Sequence, residues 1–149
     1  MDSGHAFVYL KDSSGKVVAI LSFGPGGNIT LNFRAFLNNQ LPGDAHWRLQ
    51  GDAHTWESNL TNDQLAAGEK AITDFKGNVP KYTADFNCAT AALSIATKVG
   101  LTLPSGVGPA YAGGFGGKVN VANPYNLHQQ MTERFGPPEV VSTSTFPKP

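Results

Sequence analysis

The first residues of the chain alternate. In "HAFVYL", residues 5 to 10, His5, Phe7 and Tyr9 interleave with Ala6, Val8 and Leu10, the two-residue period of a strand. "KDSSGK" then supplies turn residues. "VVAILSF", residues 17 to 23, is a nearly continuous apolar and β-branched run, as expected of a strand covered on both faces. After the glycine-rich "GPGGN", the stretch "ITLNFRAF" alternates Ile29, Leu31 and Phe33 with Thr30, Asn32 and Arg34. That spacing predicts a third strand and an antiparallel meander.

The pattern then changes period. "LPGDAHWRLQGDAHTW" is polar and irregular, and repeats "GDAH" once at an interval of eight residues, which predicts a pair of loops or a weak hairpin. Thr61 followed by Gln64 matches a capping box. Leu65, Ile72 and Phe75 fall near one helical face, with Gly77 placed as a C′ glycine. A second helix is predicted from Cys88 to Val99, with Asn87 as N-cap, a stripe of Ala92, Ile95, Ala96 and Val99, and Gly100 as its stop. Residues 102 to 118 are rich in glycine and proline and predict a surface loop; residues 104 to 118 are expected to act as a flexible rim over a cleft. A last helix starts at Asn123 with Pro124 at its first position, carries Leu127, Met131 and Phe135 at intervals of four, and ends at Gly136. Residues 137 to 149 read as a flexible tail, leaving residues 1 to 136 as a single domain.

Composition narrows the classes. A chain of 149 residues suits one domain with a real core. Eleven basic and eleven acidic residues balance, and no basic stripe appears, which argues against a dedicated nucleic-acid binder. No run approaches the roughly 18 apolar residues of a membrane-spanning helix. The start, "MDSGHAF", lacks the apolar core of a signal peptide. Because the first strand begins almost at once, we expect a domain cut from a longer protein, with Met1 added. The single cysteine forms no intramolecular disulfide, nothing resembles a zinc cluster, and no metal or organic cofactor is expected.

That cysteine carries the candidate chemistry. On the first turn of a helix, Cys88 would face the partial positive charge of the N-terminal amides, which favours thiolate. His5 is the best-placed partner, as a further cation or as general base, because its strand would carry it on the face shared with Phe7 and Tyr9. The bland readings are specific too. Cys88 would be a small core residue, His5 a hydrogen-bonded strand histidine, and His46, His54 and His128 solvated side chains. Trp47 and Trp56 would staple the polar loop to the core.

"GHAFVYL", "DSSGKVVAILSFGP", "TWESNLTNDQLAAGEKAI" and "YTADFNCATAALSIATKVGLTLP", taken in this order, resemble the circularly permuted papain-like, NlpC-like superfamily, which includes the lecithin retinol acyltransferase-like proteins. The resemblance spans residues 4 to 104. It implies an α+β fold, an antiparallel sheet with helices packed on one side, and a cysteine hydrolase cleaving an amide bond, with Cys88 as nucleophile and His5 as proton shuttle. It also implies a third polar residue orienting His5. Ser22 takes that place if the hairpin turns around Ser13 and Ser14, and Asn32 is its competitor. Peptidoglycan stem peptides are the implied substrate. The implied context is a toxin or effector domain of a larger protein secreted by a bacterium, acting in the periplasm of a target cell and neutralised by an immunity protein. "NCATA" departs from the "NCEHF" of the acyltransferase branch. A thiol phospholipase or acyltransferase, with "GPAYAGGFGG" as its apolar surface, and a non-catalytic interaction domain are the alternatives.

Overall fold

The alternation of the first residues produces a hairpin. In the computed structural model, which describes residues 4–111 and 118–149, strand β1 (Val8–Lys11) pairs antiparallel with β2 (Val17–Leu21), setting Val8 opposite Leu21 and Leu10 opposite Ala19. Asp12 builds the turn between them. Its carboxylate accepts from the Ser14 and Lys16 N–H groups, at 2.9 and 3.0 Å, and from the Ser14 hydroxyl at 2.6 Å. The first strand begins at Val8 and not at His5, because its partner ends at Leu21. Ser22 leaves the ladder for a parallel bridge with His46.

The meander goes no further. Gly24–Pro25 (β3) is followed by a turn and a short helix, α1 (Phe33–Leu37), where a third strand was expected. Asn28 is the physical reason. Its side chain accepts from the Leu31 N–H at 3.0 Å, and its carbonyl accepts from the Asn32 backbone and side-chain amides at 3.0 and 2.8 Å. Groups that a sheet would pair across strands are satisfied locally. The alternating apolar residues therefore have no sheet to cover, and Leu31 is 85% exposed.

The two "GDAH" copies do not pair with each other. The first forms β4 (Gly43–Asp44) against β3, and the second opens β5 (Asp52–Thr55). Next come α2 (Asn62–Gly77) and α3 (Cys88–Lys98). Thr61 and Gln64 form the expected capping box, at 3.1 and 2.9 Å. The helix takes in Gly77 and is capped by Asn78, one residue later than the glycine suggested.

The stretch read as a loop runs without strand over residues 102–106 and is paired only beyond them. Val107–Tyr111 (β6) and Lys118–Ala122 (β7) form an antiparallel hairpin, while residues 112 to 117, the middle of the expected rim, lie outside the described residues. Helix α4 (Pro124–Phe135) follows, with the Asn123 side chain accepting from the Asn126 N–H at 2.8 Å. The segment read as a flexible tail supplies β8 (Glu139–Ser142), which pairs with β5, and a 3₁₀ turn at Thr143–Thr145. Phe146 beyond it meets the rings of Phe7 and Tyr9 at 5.4 and 4.9 Å. In place of one sheet, the described residues hold four two-stranded antiparallel ladders and four helices, an α+β arrangement.

Apolar burial holds these pieces around α3. Leu10, Leu21 and Phe23 from the hairpin side meet Ala71 and Ile72 of α2 and Ala91 and Ile95 of α3 in one buried cluster. Alanines on α3 let its neighbours come close, and Gly68 does the same from α2. A Cβ at Gly68 would stand 2.8 Å from both Leu10 and Val99 side chains. Phe23 is the largest fully buried side chain, ringed by Phe75, Tyr82 and Phe86 at 5.2 to 5.8 Å. Because Phe146 packs its ring on Phe7 and Tyr9, Phe146→Ala should cost about 1–2 kcal/mol in denaturant unfolding. An unchanged midpoint would mean that the C-terminal residues do not hold the fold.

Candidate functional site

Asn87 starts α3 and fixes its first turn. The Asn87 side-chain oxygen accepts from the Ala89 and Thr90 N–H groups at 3.0 and 3.3 Å, while Thr90 Oγ1 accepts from the Asn87 N–H at 2.7 Å. Its side-chain nitrogen donates to the Ala84 and Ala122 carbonyls at 3.3 and 2.6 Å. Cys88 is therefore the first residue of the helix, as the sequence predicted, and it is 3% exposed. The Ala6 N–H and the Tyr82 side chain are the polar groups that draw its thiol pKa down.

His5 stands just before β1. Its Nε2 lies 2.7 Å from the Ser22 hydroxyl, and its ring stacks at a tilt on Trp47 with centroids 4.5 Å apart. Ser22 is fully buried, so this hydrogen bond is sheltered from water. Of the two residues weighed as the orienting group, Ser22 meets the imidazole. Asn32 is exposed and its amide is spent on Asn28. Among the described residues no direct hydrogen bond links the sulfur and the imidazole, whose ring nitrogen Nε2 meets Ser22.

Burial decides the protonation of both groups. It pushes the Cys88 thiol up, against the opposing pull of the Ala6 N–H, the Tyr82 hydroxyl and the amides of Ala89 and Cys88. The expected thiolate is thus corrected: desolvation of an almost fully covered sulfur outweighs the helix-end amides. Burial also lowers His5 from 6.5 to about 4. At neutral pH the resting groups are a thiol and an uncharged imidazole. In the tautomer that carries its proton on Nε2 and donates it to Ser22, the imidazole offers Nδ1 as a base.

The remaining histidines lie elsewhere. The His46 ring bonds the Pro149 carbonyl at 3.0 Å. His54 and His128 share a 2.8 Å hydrogen bond that ties β5 to α4, and the Trp56 indole donates to the Gly136 carbonyl at 2.9 Å. Tyr82 escaped sequence reasoning, because it sits six residues before the cysteine in a segment with no periodic signal, whereas Trp47, read as a staple of the polar loop to the core, lies against His5. Among the described residues, no group of three or more His, Cys, Asp or Glu is placed to hold a metal ion, and no helix is long and apolar enough to cross a membrane. Comparison with protein-family models, curated proteins and solved structures gives no significant match.

Two measurements check this geometry. His5 binds its proton more weakly folded than unfolded, so between pH 6.5 and about 4 the unfolded chain holds the extra proton. Stability should therefore fall as pH drops through that window, by up to about 3 kcal/mol, and level off below it. His5→Gln should flatten the slope, and an unchanged slope would place the titration elsewhere. Asn87→Asp keeps a cap but turns a carboxylate oxygen toward the Ala122 carbonyl. Unfolding should become easier by about 1–3 kcal/mol, and no loss would mean that this bond is idle.

Proposed function

We propose that this chain is a cysteine hydrolase that cleaves an amide bond, with Cys88 as nucleophile, His5 as general base and Ser22 orienting His5. The observation that carries the reading is the sheltered 2.7 Å bond between His5 Nε2 and Ser22 Oγ, beside a helix that begins with cysteine. A packing cysteine has no need of a buried serine holding a neighbouring imidazole.

Cys88 Sγ attacks the carbonyl carbon while His5 Nδ1 takes the thiol proton, a general-base step suited to a neutral pair. Catalytic hydrogen bonds of this kind commonly tighten only with substrate bound, which suits a thiol and imidazole not yet in direct contact. The tetrahedral oxyanion faces the Cys88 N–H at the start of α3, with the Tyr82 hydroxyl as second donor. The imidazolium then returns its proton to the leaving amine, and water, deprotonated by His5, hydrolyses the thioester. No step calls on a metal or organic cofactor.

The resemblance noted above supports peptidoglycan stem peptides as substrate. It also supports an antibacterial role in the periplasm, as part of a larger secreted protein, with an immunity protein as partner. A second reading draws on the surface. Leu31, Phe33 and Leu37 are exposed on and before α1, and Phe36 of that helix lies 6.3 Å from the Tyr82 ring, which favours an acyl ester of a lipid.

Purified chain should release new amino groups from peptidoglycan fragments, and Cys88→Ala should abolish this by at least about a thousandfold without a large fall in melting temperature. Ser22→Ala should lower kcat with little change in KM. Fatty acid released from phospholipid vesicles, with the fragments left intact, would carry the lipid reading instead. Full activity in Cys88→Ala would overturn the thiol mechanism in either form.

A further inference from the structure

Among the described residues, Trp47 is the one aromatic ring that packs on His5, at 4.5 Å between centroids and tilted by 39°, and a glycine makes room for it. A Cβ built on Gly24 would fall 2.2 to 2.7 Å from three ring carbons of the indole, Cδ1, Cγ and Cδ2. Those atoms belong to a rigid ring, so any side chain at Gly24 must push the indole away. The backbone fixes the approach from the other side. The Trp47 N–H donates to the Ser22 carbonyl at 3.1 Å, and the neighbouring His46 forms the parallel bridge with Ser22. One short pairing thus delivers two groups to the imidazole: the Ser22 hydroxyl to Nε2 and the Trp47 ring to the face.

We infer that Trp47 is a positioning residue for His5, an indole cover that holds the imidazole on Ser22, and that Gly24 is the residue that admits it. The catalytic meaning rests on the reading of His5 as general base; the physical claim does not. Two consequences follow from the packing. The ring confines the imidazole to the rotamer that keeps Nε2 on Ser22. It also withholds water from one face, and burial is the cause that lowers His5.

Charged groups nearby do not supply the same effect. On the segment leading to Trp47, the Asp44 carboxylate accepts from the His46 N–H at 2.8 Å, and the His46 ring is turned to the Pro149 carbonyl. On the helix side, burial pushes both the Cys88 thiol and the Tyr82 phenol up, so both stay neutral around pH 7. Lys11 and Glu57 are engaged with each other and with Tyr9 farther along β1.

The test is an NMR titration of the His5 side-chain nitrogens in the full chain, compared across three variants. The parent should titrate near pH 4. Trp47→Ala should raise the midpoint by about one unit or more toward the free value, and Trp47→Phe, which keeps a ring, should move it less. Gly24→Ala should shift it in the same direction as Trp47→Ala although it removes no atom of the cover. If Trp47→Ala does not fold, Trp47→Phe and Gly24→Ala decide the matter. A His5 midpoint left within a few tenths of the parent by Gly24→Ala, or by a folded Trp47→Ala, would overturn the inference. In an amide-hydrolysis assay, the acidic limb of kcat/KM should move up with the midpoint. A shifted midpoint without hydrolytic activity in the parent would uphold the cover and refute the enzyme.

Discussion

The amide of Asn87 works in two directions at once. One end accepts from the first free N–H groups of α3, and the other donates to carbonyls of the preceding turn and of Ala122. A serine, threonine or aspartate would cap the helix equally well, but none offers an amide to a carbonyl 35 residues away in sequence. The position of the helix start, and therefore of Cys88, is tied by this residue to the end of β7 and the beginning of α4. The buried flank of α3, Ala91 and Ile95, then sets where β1, β2 and α2 can lie.

Around that start, desolvation is the stronger influence. A helix N-terminus offers a thiolate partial positive charge, but Cys88 is covered on nearly all sides and its proton is held more tightly than in water. His5 responds to the same burial in the opposite sense, because its charged form is the protonated one. The outcome is a thiol and an uncharged imidazole, the latter hydrogen-bonded to Ser22.

The ladders around the core are short. Among the described residues none exceeds five residues per strand, so main-chain pairing contributes less organisation here than in a continuous sheet. Aromatic contacts fill the gaps between them. Phe23 binds the helices and the Tyr82 segment to the hairpin, Phe146 folds the C-terminal turn over Phe7 and Tyr9, and Trp47 lies across Gly24. Each contact joins residues far apart in sequence, which is how separate two-stranded pieces are held together.

Local chemistry was legible in the sequence wherever a few neighbouring residues settle it. Thr61 with Gln64, Asn87 before the alanine-rich run, and Asn123 with Pro124 marked three helix starts, because caps and periodic apolar faces act within one or two turns. The β1–β2 hairpin was legible for the same reason, and with it the nearness of His5 to Ser22. Alternation misled at "ITLNFRAF", where the hydrogen bonds of Asn28 outcompeted a sheet that was never there to join. The pairing of β5 with β8 and the packing of Phe146 on Phe7 depend on partners more than 80 residues apart. No periodicity specifies them. The charge states of Cys88 and His5 likewise belong to the tertiary structure, since residue type gives a starting pKa and only packing determines how much water each group keeps.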